Sequence, residues 1–159
     1  MTQLELARKN KITPLMRMVA RKEAQPPEYL RDGIAKGTIV IPANLGQHIK
    51  KPCAIGKGLS TKVNANLGTS TDRPDLNSEI NKLKTAIACG ADTVMDLSVG
   101  GDLTAILKRL LSLSSVPLGT VPIYQAAVEA QKNKGSFLKM TGEDFLRVIE
   151  QQARLGVDF

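Results

Sequence analysis

The sequence is poor in the side chains that bind metals and in aromatic residues. Its 159 residues include no tryptophan, two tyrosines, two cysteines and one histidine, His48. Cys53 and Cys89 lie 36 positions apart, so neither a Cys-x2-Cys pair nor a His-Glu-x2-His pattern is present. We expect Cys89, inside an apolar helical stretch, to be a packing residue, and Cys53 to be reactive only if it is exposed beside the preceding lysines. The chain therefore supplies no recognisable metal site.

Long apolar runs are also lacking. None approaches the roughly 18 residues that cross a bilayer, and the N-terminal MTQLELARKNK has no apolar signal-peptide core. We therefore expect a cytoplasmic protein that does not enter a membrane. Since 42% of its residues are hydrophobic, the chain is long enough to bury a core.

The net charge of +7 is unevenly distributed. Residues 1–62 carry 12 basic and 4 acidic side chains, whereas residues 63–159 carry 10 and 11. A basic arm can bind phosphate backbones, but this one has no interleaved aromatic residues and no helix-turn-helix signature follows it. The pattern favours a solvated charged face, and a basic RNA- or DNA-binding module is kept only as an alternative.

Two parts of the chain differ in pattern. Residues 1–60 combine predicted helices over 14–22 and 27–36 with a strand-like segment over 38–41. Beyond them, strands are predicted over 62–65, 93–97 and 116–123, and a fourth begins at 157–159. Amphipathic helices are predicted over 78–89, from Asp102 onwards, and over 141–155. The residues expected on their inward faces are Ile80, Leu83, Ile87, Leu103, Ile106, Leu107, Leu110, Leu111, Phe145, Val148 and Ile149.

Alternating strands and helices predict an α/β fold with parallel strands. A doubly wound nucleotide-binding sheet would carry Gly-x-Gly-x-x-Gly after its first strand, and only Gly68 occurs there. The polar strand ends NLGTS, DLSVGG and YQA instead fit a barrel whose active site lies at the carboxyl ends of its strands. We expect these three stretches to converge on one cleft.

The predicted fold class is the N-terminal part of a (β/α)8 TIM-type barrel preceded by a small mixed region. Residues 1–60 would form the N-terminal region and residues 61–159 the first strand-helix units. A full barrel takes about 250 residues, and the chain stops at Phe159 in an apolar strand start. We therefore expect an incomplete barrel, a fragment that is truncated before its fourth unit is complete.

Several motifs in fixed order resemble one enzyme family. The segments are KVNANLGTS (62–70), ADTVMDLSVGGDL (91–103), GTVPIYQA (119–126) and EQQARLGVDF (150–159), and ARKNKITPLMRMVA and GTIVIPAN precede them. They resemble the phosphomethylpyrimidine synthase family of thiamine biosynthesis, and the resemblance covers essentially the whole chain.

The resemblance implies a radical S-adenosylmethionine lyase that converts aminoimidazole ribonucleotide into hydroxymethylpyrimidine phosphate, releasing formate and carbon monoxide. It implies a [4Fe–4S] cluster, a zinc-type metal site and a homodimer in the full-length protein. The family's three-cysteine cluster motif and two-histidine metal site have no counterpart in this sequence, so we expect the 159 residues alone to be inactive.

The resemblance also implies three substrate-binding residues, Asn66, Met95 and Tyr124, and assigns no catalytic residue within the chain. Successive members lie 29 positions apart, which is the spacing that equivalent ends of neighbouring strands would give. Asn66 can donate and accept hydrogen bonds, Met95 can form an adaptable apolar wall, and Tyr124 offers a ring with a hydroxyl. Asp96 and Ser98 either contact substrate or cap the turn that follows, and Asp102 is assigned to capping.

Other functions remain open on the sequence. A related branch, the hydroxybenzimidazole synthases, converts the same ribonucleotide into the lower-ligand precursor of cobalamin, and GKGLSTKVNANLGTSTD (56–72) resembles it as well. A second alternative is a non-catalytic remnant that at most binds a nucleotide.

Overall fold

The computed structural model describes residues 1–46 and 49–159 and therefore leaves His48 outside the described part of the chain. The helices within these residues are α1 (Gln3–Arg8), α2 (Pro14–Lys22), α3 (Pro27–Ala35), α4 (Leu76–Ala88), α5 (Leu103–Leu113), α6 (Pro122–Lys134) and α7 (Gly142–Leu155). The strands are β1 (Ile39–Val40), β2 (Ile55–Gly56), β3 (Asn64–Leu67), β4 (Thr93–Asp96) and β5 (Leu118–Thr120), and a 3-10 turn spans Phe137–Lys139.

Strands β3, β4 and β5 form a parallel sheet in that order, with helices α4 and α5 as the crossovers. The predicted α/β class with parallel strands is therefore confirmed. The sheet is open: within the described ranges no barrel closes. The predicted strand near residues 38–41 is β1, which pairs antiparallel with β2 in a separate two-stranded sheet.

Helix starts follow the sequence closely because side chains cap them. Thr13 Oγ1 accepts a hydrogen bond from Met16 N at 3.1 Å at the start of α2. Asp102 Oδ1 accepts one from Ala105 N at 3.0 Å, so the predicted capping role of Asp102 is confirmed. Thr141 and Asp144 form a capping box at the start of α7.

Helix α6 is the longest element that the sequence pattern does not predict; α1 and β2 are also unpredicted. The pattern indicates one strand over residues 116–123, but β5 ends at Thr120 and Pro122 begins the helix. Proline fits the first helical turn because its fixed φ suits a helix and no partner is needed there for an N–H. The buried residues of α6 are Gln125, Ala126 and Ala130, which are too small or too polar to show a helical apolar period.

Two apolar cores stabilise the fold. The first lies among helices α1 to α3 and includes Met16, Val19 and Leu30. The second joins the parallel sheet to α4 and α5 and includes Leu83 and Leu110. The predicted inward faces of α4 and α5 are thus confirmed except at Leu103, which is half-buried and lies outside this core.

The predicted inward face of α7 is only partly right. Val148 is fully buried and Phe145 is half-buried, but Ile149 is 38% exposed. Gln152 is buried instead, because its side chain donates to Gln125 Oε1 on α6 at 2.9 Å and accepts from Thr120 Oγ1 at 2.7 Å. Helix α7 packs against a polar patch of α6, which hydropathy does not reveal.

The two cysteines are placed differently from expectation. Cys89 is exposed, so its prediction as a packing residue is wrong; it is the C-cap of α4, beyond the buried face of that helix. Cys53 is fully buried in spite of the adjacent lysines, and burial raises the pKa of its thiol. Cys53 is therefore not the exposed, reactive thiolate that its lysine neighbours could have favoured.

Residues 157–159 lie beside β5 where a fourth strand is predicted. Asp158 N donates to Leu118 O at 2.9 Å, and Thr120 N donates to Phe159 O at 3.1 Å. These two bonds align the segment with β5 without forming a regular ladder. In the part of the chain described, no helix is both long and apolar enough to cross a membrane.

Candidate functional site

One face of the parallel sheet is covered by helices and the other is not. Leu67 and Val94 point into the helical core and are 5% and 0% exposed. Because side chains alternate along a strand, their neighbours Asn66 and Met95 point to the opposite face, where Asn66 is exposed and Met95 is half-buried. This uncovered face is polar along β3 and forms the floor of the candidate site.

The strand register brings two of the three predicted site residues together. Asn66 lies directly opposite Met95 in the β3–β4 ladder. The 29-residue spacing between them is therefore the register of these two strands, as the sequence indicates. The structure places an amide and a thioether side by side at the carboxyl end of the sheet.

Tyr124 does not occupy an equivalent position on the next strand. Met95 is opposite Gly119 in the β4–β5 ladder, a step of 24 residues, so the second 29-residue step overshoots the strand by five. Tyr124 lies instead in the first turn of α6, where its N–H donates to Val121 O at 3.0 Å and its side chain is 44% exposed. The expectation that strand β5 ends at Tyr124 is wrong, because Pro122 has already begun the helix.

Asn66 is held by two residues that the sequence reasoning missed. Asn64 Nδ2 donates to Asn66 Oδ1 at 2.9 Å, and Thr93 Oγ1 donates to Asn64 Oδ1 at 2.8 Å. Asn64 and Thr93 are also 29 positions apart and directly paired in the ladder. Applying the 29-residue spacing to every polar residue of NAN (64–66) would have found them.

The loops after β3 and β4 are bonded to each other. Val99 N donates to Thr69 O at 3.0 Å, and Thr69 N donates to Ser98 Oγ at 3.1 Å. Thr69 Oγ1 donates to Gly100 O at 2.7 Å. The predicted convergence of NLGTS and DLSVGG is confirmed as a shared platform at the carboxyl end of the sheet.

A cavity of about 410 Å³ adjoins this platform and brings α6 to it. Val99 and Gly100 line one side, and Ala127 and Val128 of α6 line the other. The polypeptide that carries Tyr124 therefore packs beside the two bonded loops, although Tyr124 itself does not line the cavity.

Gly68 allows the first of these loops to leave the sheet. Its φ is +150°, which side chains other than glycine rarely adopt, and a Cβ there would lie 2.6 Å from the Leu97 carbonyl carbon. The close approach of the two loops therefore depends on the missing side chain.

Glu79 of α4 anchors the same loop through a hydrogen bond. Its carboxylate is buried near the start of α4, where Oε2 accepts a hydrogen bond from Gly68 N at 2.7 Å and Oε1 pairs with Lys82 Nζ at 2.7 Å. The sequence reasoning missed Glu79, because a glutamate in the first turn of a helix is common for reasons of helix electrostatics alone.

Asp96 is a capping residue on the covered side of the sheet. Its Oδ1 accepts from Ser98 N at 3.0 Å and from Ser98 Oγ, and its residue is 7% exposed. Burial raises the pKa of the Asp96 carboxyl, although the two hydrogen bonds act in the opposite direction. Of the two predicted roles for Asp96 and Ser98, the structure shows the turn cap.

The chain's own residues do not fit the cluster that the resemblance implies. A [4Fe–4S] cluster is held by several cysteine thiolates, and this sequence has two cysteines, one buried with a raised pKa and one exposed at the end of α4. Among residues 1–46 and 49–159, no three histidine, cysteine, aspartate or glutamate side chains are grouped as metal ligands.

The chain is similar to known proteins along its whole length. The sequence model described as the Radical SAM ThiC family matches residues 2–159. A phosphomethylpyrimidine synthase of Dehalococcoides mccartyi is 55% identical over 159 residues, and one of Thermus thermophilus is 53% identical over 160. The 5-hydroxybenzimidazole synthase BzaB of Moorella thermoacetica is 49% identical over 159 residues. Each alignment covers 100% of this chain and 37% of the relative, so the chain spans little more than a third of their length.

Proposed function

The chain belongs to the Radical SAM ThiC family, and from this we propose that it is part of a phosphomethylpyrimidine synthase. This enzyme would be a carbon-carbon lyase that converts aminoimidazole ribonucleotide into hydroxymethylpyrimidine phosphate for thiamine. The observation that carries the proposal is the uncovered face of the sheet, where Asn66 and Met95 lie opposite each other.

The remainder of the longer protein would complete a (β/α)8 barrel. Parallel sheets in α/β proteins are buried on both faces, whereas one face of this sheet is exposed at Asn66. Residues 61–159 would be the first units of the barrel, and residues 1–60 a separate N-terminal region packed against it. The two apolar cores support this division.

Asn66, Met95 and Tyr124 would contact the ribonucleotide. Asn66 and Met95 would lie at the carboxyl end of the barrel interior, where barrel enzymes bind their substrates. Tyr124 would approach from the first turn of α6, which packs beside the loops after β3 and β4. From this position on the helix, the Tyr124 side chain would have to extend towards the cleft to meet the ribonucleotide.

S-adenosylmethionine and a [4Fe–4S] cluster would supply the radical, and a zinc-type metal would belong to the same full-length enzyme. Their ligands would lie in the remainder of the protein, so we propose that the 159 residues alone are inactive. The full-length enzyme would act in the cytoplasm as a homodimer. This chain's part would be to bind and orient the ribonucleotide.

A 5-hydroxybenzimidazole synthase is the second candidate, because a protein of that name is 49% identical to the chain. Both branches would use the same ribonucleotide, and the three proposed contacts would serve either. Analysis of the product that the full-length enzyme forms under anoxic, reducing conditions separates them: a pyrimidine phosphate supports the first candidate and a benzimidazole the second.

The contacts are tested by Asn66→Ala and Tyr124→Phe in the longer protein. We expect the dissociation constant of aminoimidazole ribonucleotide to rise about tenfold in each, the effect of losing one hydrogen bond of about 1.4 kcal/mol. Tyr29→Phe is a matched control, since Tyr29 is the other tyrosine and is comparably exposed at 38%. Unchanged affinity in both variants would refute the assignment, and a full-length protein that binds the ribonucleotide without turnover would indicate a non-catalytic relative.

A further inference from the structure

A second layer of polar side chains lies beneath the proposed substrate contacts. Asn64 precedes Asn66 by two residues and therefore lies on the same face of β3. Thr93 is opposite Asn64 in the ladder, as Met95 is opposite Asn66. The layer nearer the strand starts is thus Asn64 with Thr93, and the layer nearer the carboxyl ends is Asn66 with Met95.

The hydrogen bonds between these layers have a defined direction. The hydroxyl of Thr93 has one proton, and it points to Asn64 Oδ1 at 2.8 Å. Asn64 then presents its amide nitrogen to Asn66 Oδ1 at 2.9 Å. Thr93 is only 3% exposed, so water has little access to its hydroxyl and does not readily replace the bond to Asn64 Oδ1.

This arrangement determines which end of the Asn66 amide is available. A primary amide offers an oxygen that accepts and a nitrogen that donates. The Asn66 oxygen has used one of its two lone pairs on Asn64, whereas both N–H groups of Nδ2 are left to meet a ligand. Within the described residues, no protein acceptor is bonded to that nitrogen.

We propose that Asn64 and Thr93 are positioning residues that present Asn66 as a hydrogen-bond donor. The group that Asn66 Nδ2 recognises on the ribonucleotide is then an acceptor, such as a phosphate or ribose oxygen or an unprotonated ring nitrogen. This inference rests on the proposed function, because it concerns how the same substrate contact works.

The direction of the bonds can be reversed by a single change. In Asn64→Asp, the new carboxylate only accepts hydrogen bonds, so Asn66 would turn its nitrogen towards residue 64 and its oxygen towards the substrate. We expect the dissociation constant of aminoimidazole ribonucleotide to rise tenfold or more, because a donor is replaced by an acceptor at the contact. The expected change in kcat is smaller, since the contact is made equally in the ground and transition states.

A pair of variants at Thr93 provides the matched test. Thr93→Val keeps the shape but removes the hydroxyl, and we expect the dissociation constant to rise about three- to tenfold. Thr93→Ser retains the hydroxyl and should restore affinity to within about twofold of the unsubstituted protein. Thermal unfolding of each variant separates an effect on the substrate contact from a general loss of stability.

The outcomes distinguish this inference from the proposed function. If Asn66→Ala weakens binding but Asn64→Asp and Thr93→Val do not, the positioning role is refuted and the substrate contact stands. If Asn66→Ala has no effect, the contact itself is refuted. Equal loss of affinity in Thr93→Val and Thr93→Ser would also refute the positioning role, because only the first removes the donor.

Discussion

Asp96 is a carboxyl group buried beside the apolar core and opposed by no positive charge among its hydrogen-bond partners. Its Oδ1 accepts two hydrogen bonds, both from Ser98, through the backbone N–H and the hydroxyl. Removal from water penalises the charged form more than these two bonds favour it, so the pKa of Asp96 is raised. At the scale of the residue, the buried carboxylate of Asp96 lowers the free energy of unfolding at neutral pH, while its hydrogen bonds with Ser98 fix the turn after β4.

The penalty predicts a pH dependence. An acid whose pKa is higher in the folded than in the unfolded protein binds more protons when folded, so its contribution to stability decreases as pH rises through that interval. Asp96→Asn keeps an acceptor for Ser98 and removes the charge. We expect its free energy of unfolding to exceed that of the unsubstituted protein at pH 7, with the difference vanishing below about pH 4. Urea unfolding across this range measures it.

The pKa of Asp144 is shifted in the opposite direction to that of Asp96. Hydrogen bonds from Lys134 and Thr141 lower the pKa of its carboxyl, so its stabilising effect is present at neutral pH and lost as pH falls towards the lowered pKa. Asp144→Asn should therefore be less stable than the unsubstituted protein at pH 7 and approach it in acid. The same sign of pH dependence in both variants would contradict the assignment for Asp96.

Helix α4 contributes more to the site than its packing face. Its buried Glu79 holds Gly68 N, and Gly68 follows Asn66 by two residues, so the helix anchors the end of β3 at the candidate site. The glycine and the glutamate act together: one permits the backbone turn and the other satisfies its N–H. At the scale of the element, the position of the candidate site depends on the hydrogen bond between Gly68 and Glu79, and neither residue is a proposed substrate contact.

Glu79→Ala tests this anchor. The change leaves Gly68 N without its acceptor in a half-buried position, and we expect the free energy of unfolding to fall by about 1–3 kcal/mol. Glu79→Gln is the control, because its amide oxygen can still accept from Gly68 N, and its loss should be smaller. Equal losses in the two variants, measured by urea unfolding, would show that the charge and not the anchor is responsible.

The N-terminal region is attached to the parallel sheet by polar contacts. Lys62 Nζ lies 2.9 Å from Glu23 Oε1, and the two side chains are only 5% and 2% exposed. Lys22 pairs with Asp92 at 2.9 Å, and Asn44 N donates to Asp158 Oδ1 at 2.8 Å. At the scale of the whole molecule, hydrogen bonds and ion pairs join the parts of the chain that contain the two apolar cores.

Lys62→Met tests the buried pair. Burial acts to raise the pKa of Glu23, but hydrogen bonds from Lys62 and Ser60 outweigh it and lower the pKa, so the pair stabilises the fold above the ordinary pKa of glutamate and is lost in acid. Removing Lys62 leaves a buried carboxylate without its cation, and we expect a loss of about 3 kcal/mol at pH 7.

Two further variants test whether the loss of stability in Lys62→Met comes from the burial of the ion pair. Glu23→Gln with Lys62→Met removes both charges and should recover part of the loss. Arg154→Met removes one partner of an ion pair whose side chains are 77% and 65% exposed, and it should change stability by less than about 0.5 kcal/mol. A similar loss in Arg154→Met and Lys62→Met, measured by urea unfolding at pH 7, would contradict the role of burial.

The amino-acid sequence by itself determined the local structure and the family. The caps at Thr13, Asp102 and Thr141 and the apolar periods of α4 and α5 act within a few residues, so the pattern of the chain defines them directly. The ordered motifs indicated the family that the comparison then showed. The 29-residue spacing of Asn66 and Met95 predicted their pairing because one strand register sets it.

Only the tertiary structure decided how the site is supported. The second 29-residue step failed because β4 and β5 are paired 24 residues apart, and because Pro122 begins a helix before the chain reaches Tyr124. The bond from Thr93 to Asn64 joins β4 to β3, and the bond from Gly68 to Glu79 joins the loop after β3 to α4. The 29-residue register points to the pairing of Asn64 with Thr93, but the hydrogen bonds themselves form only once the strands and helices are brought together.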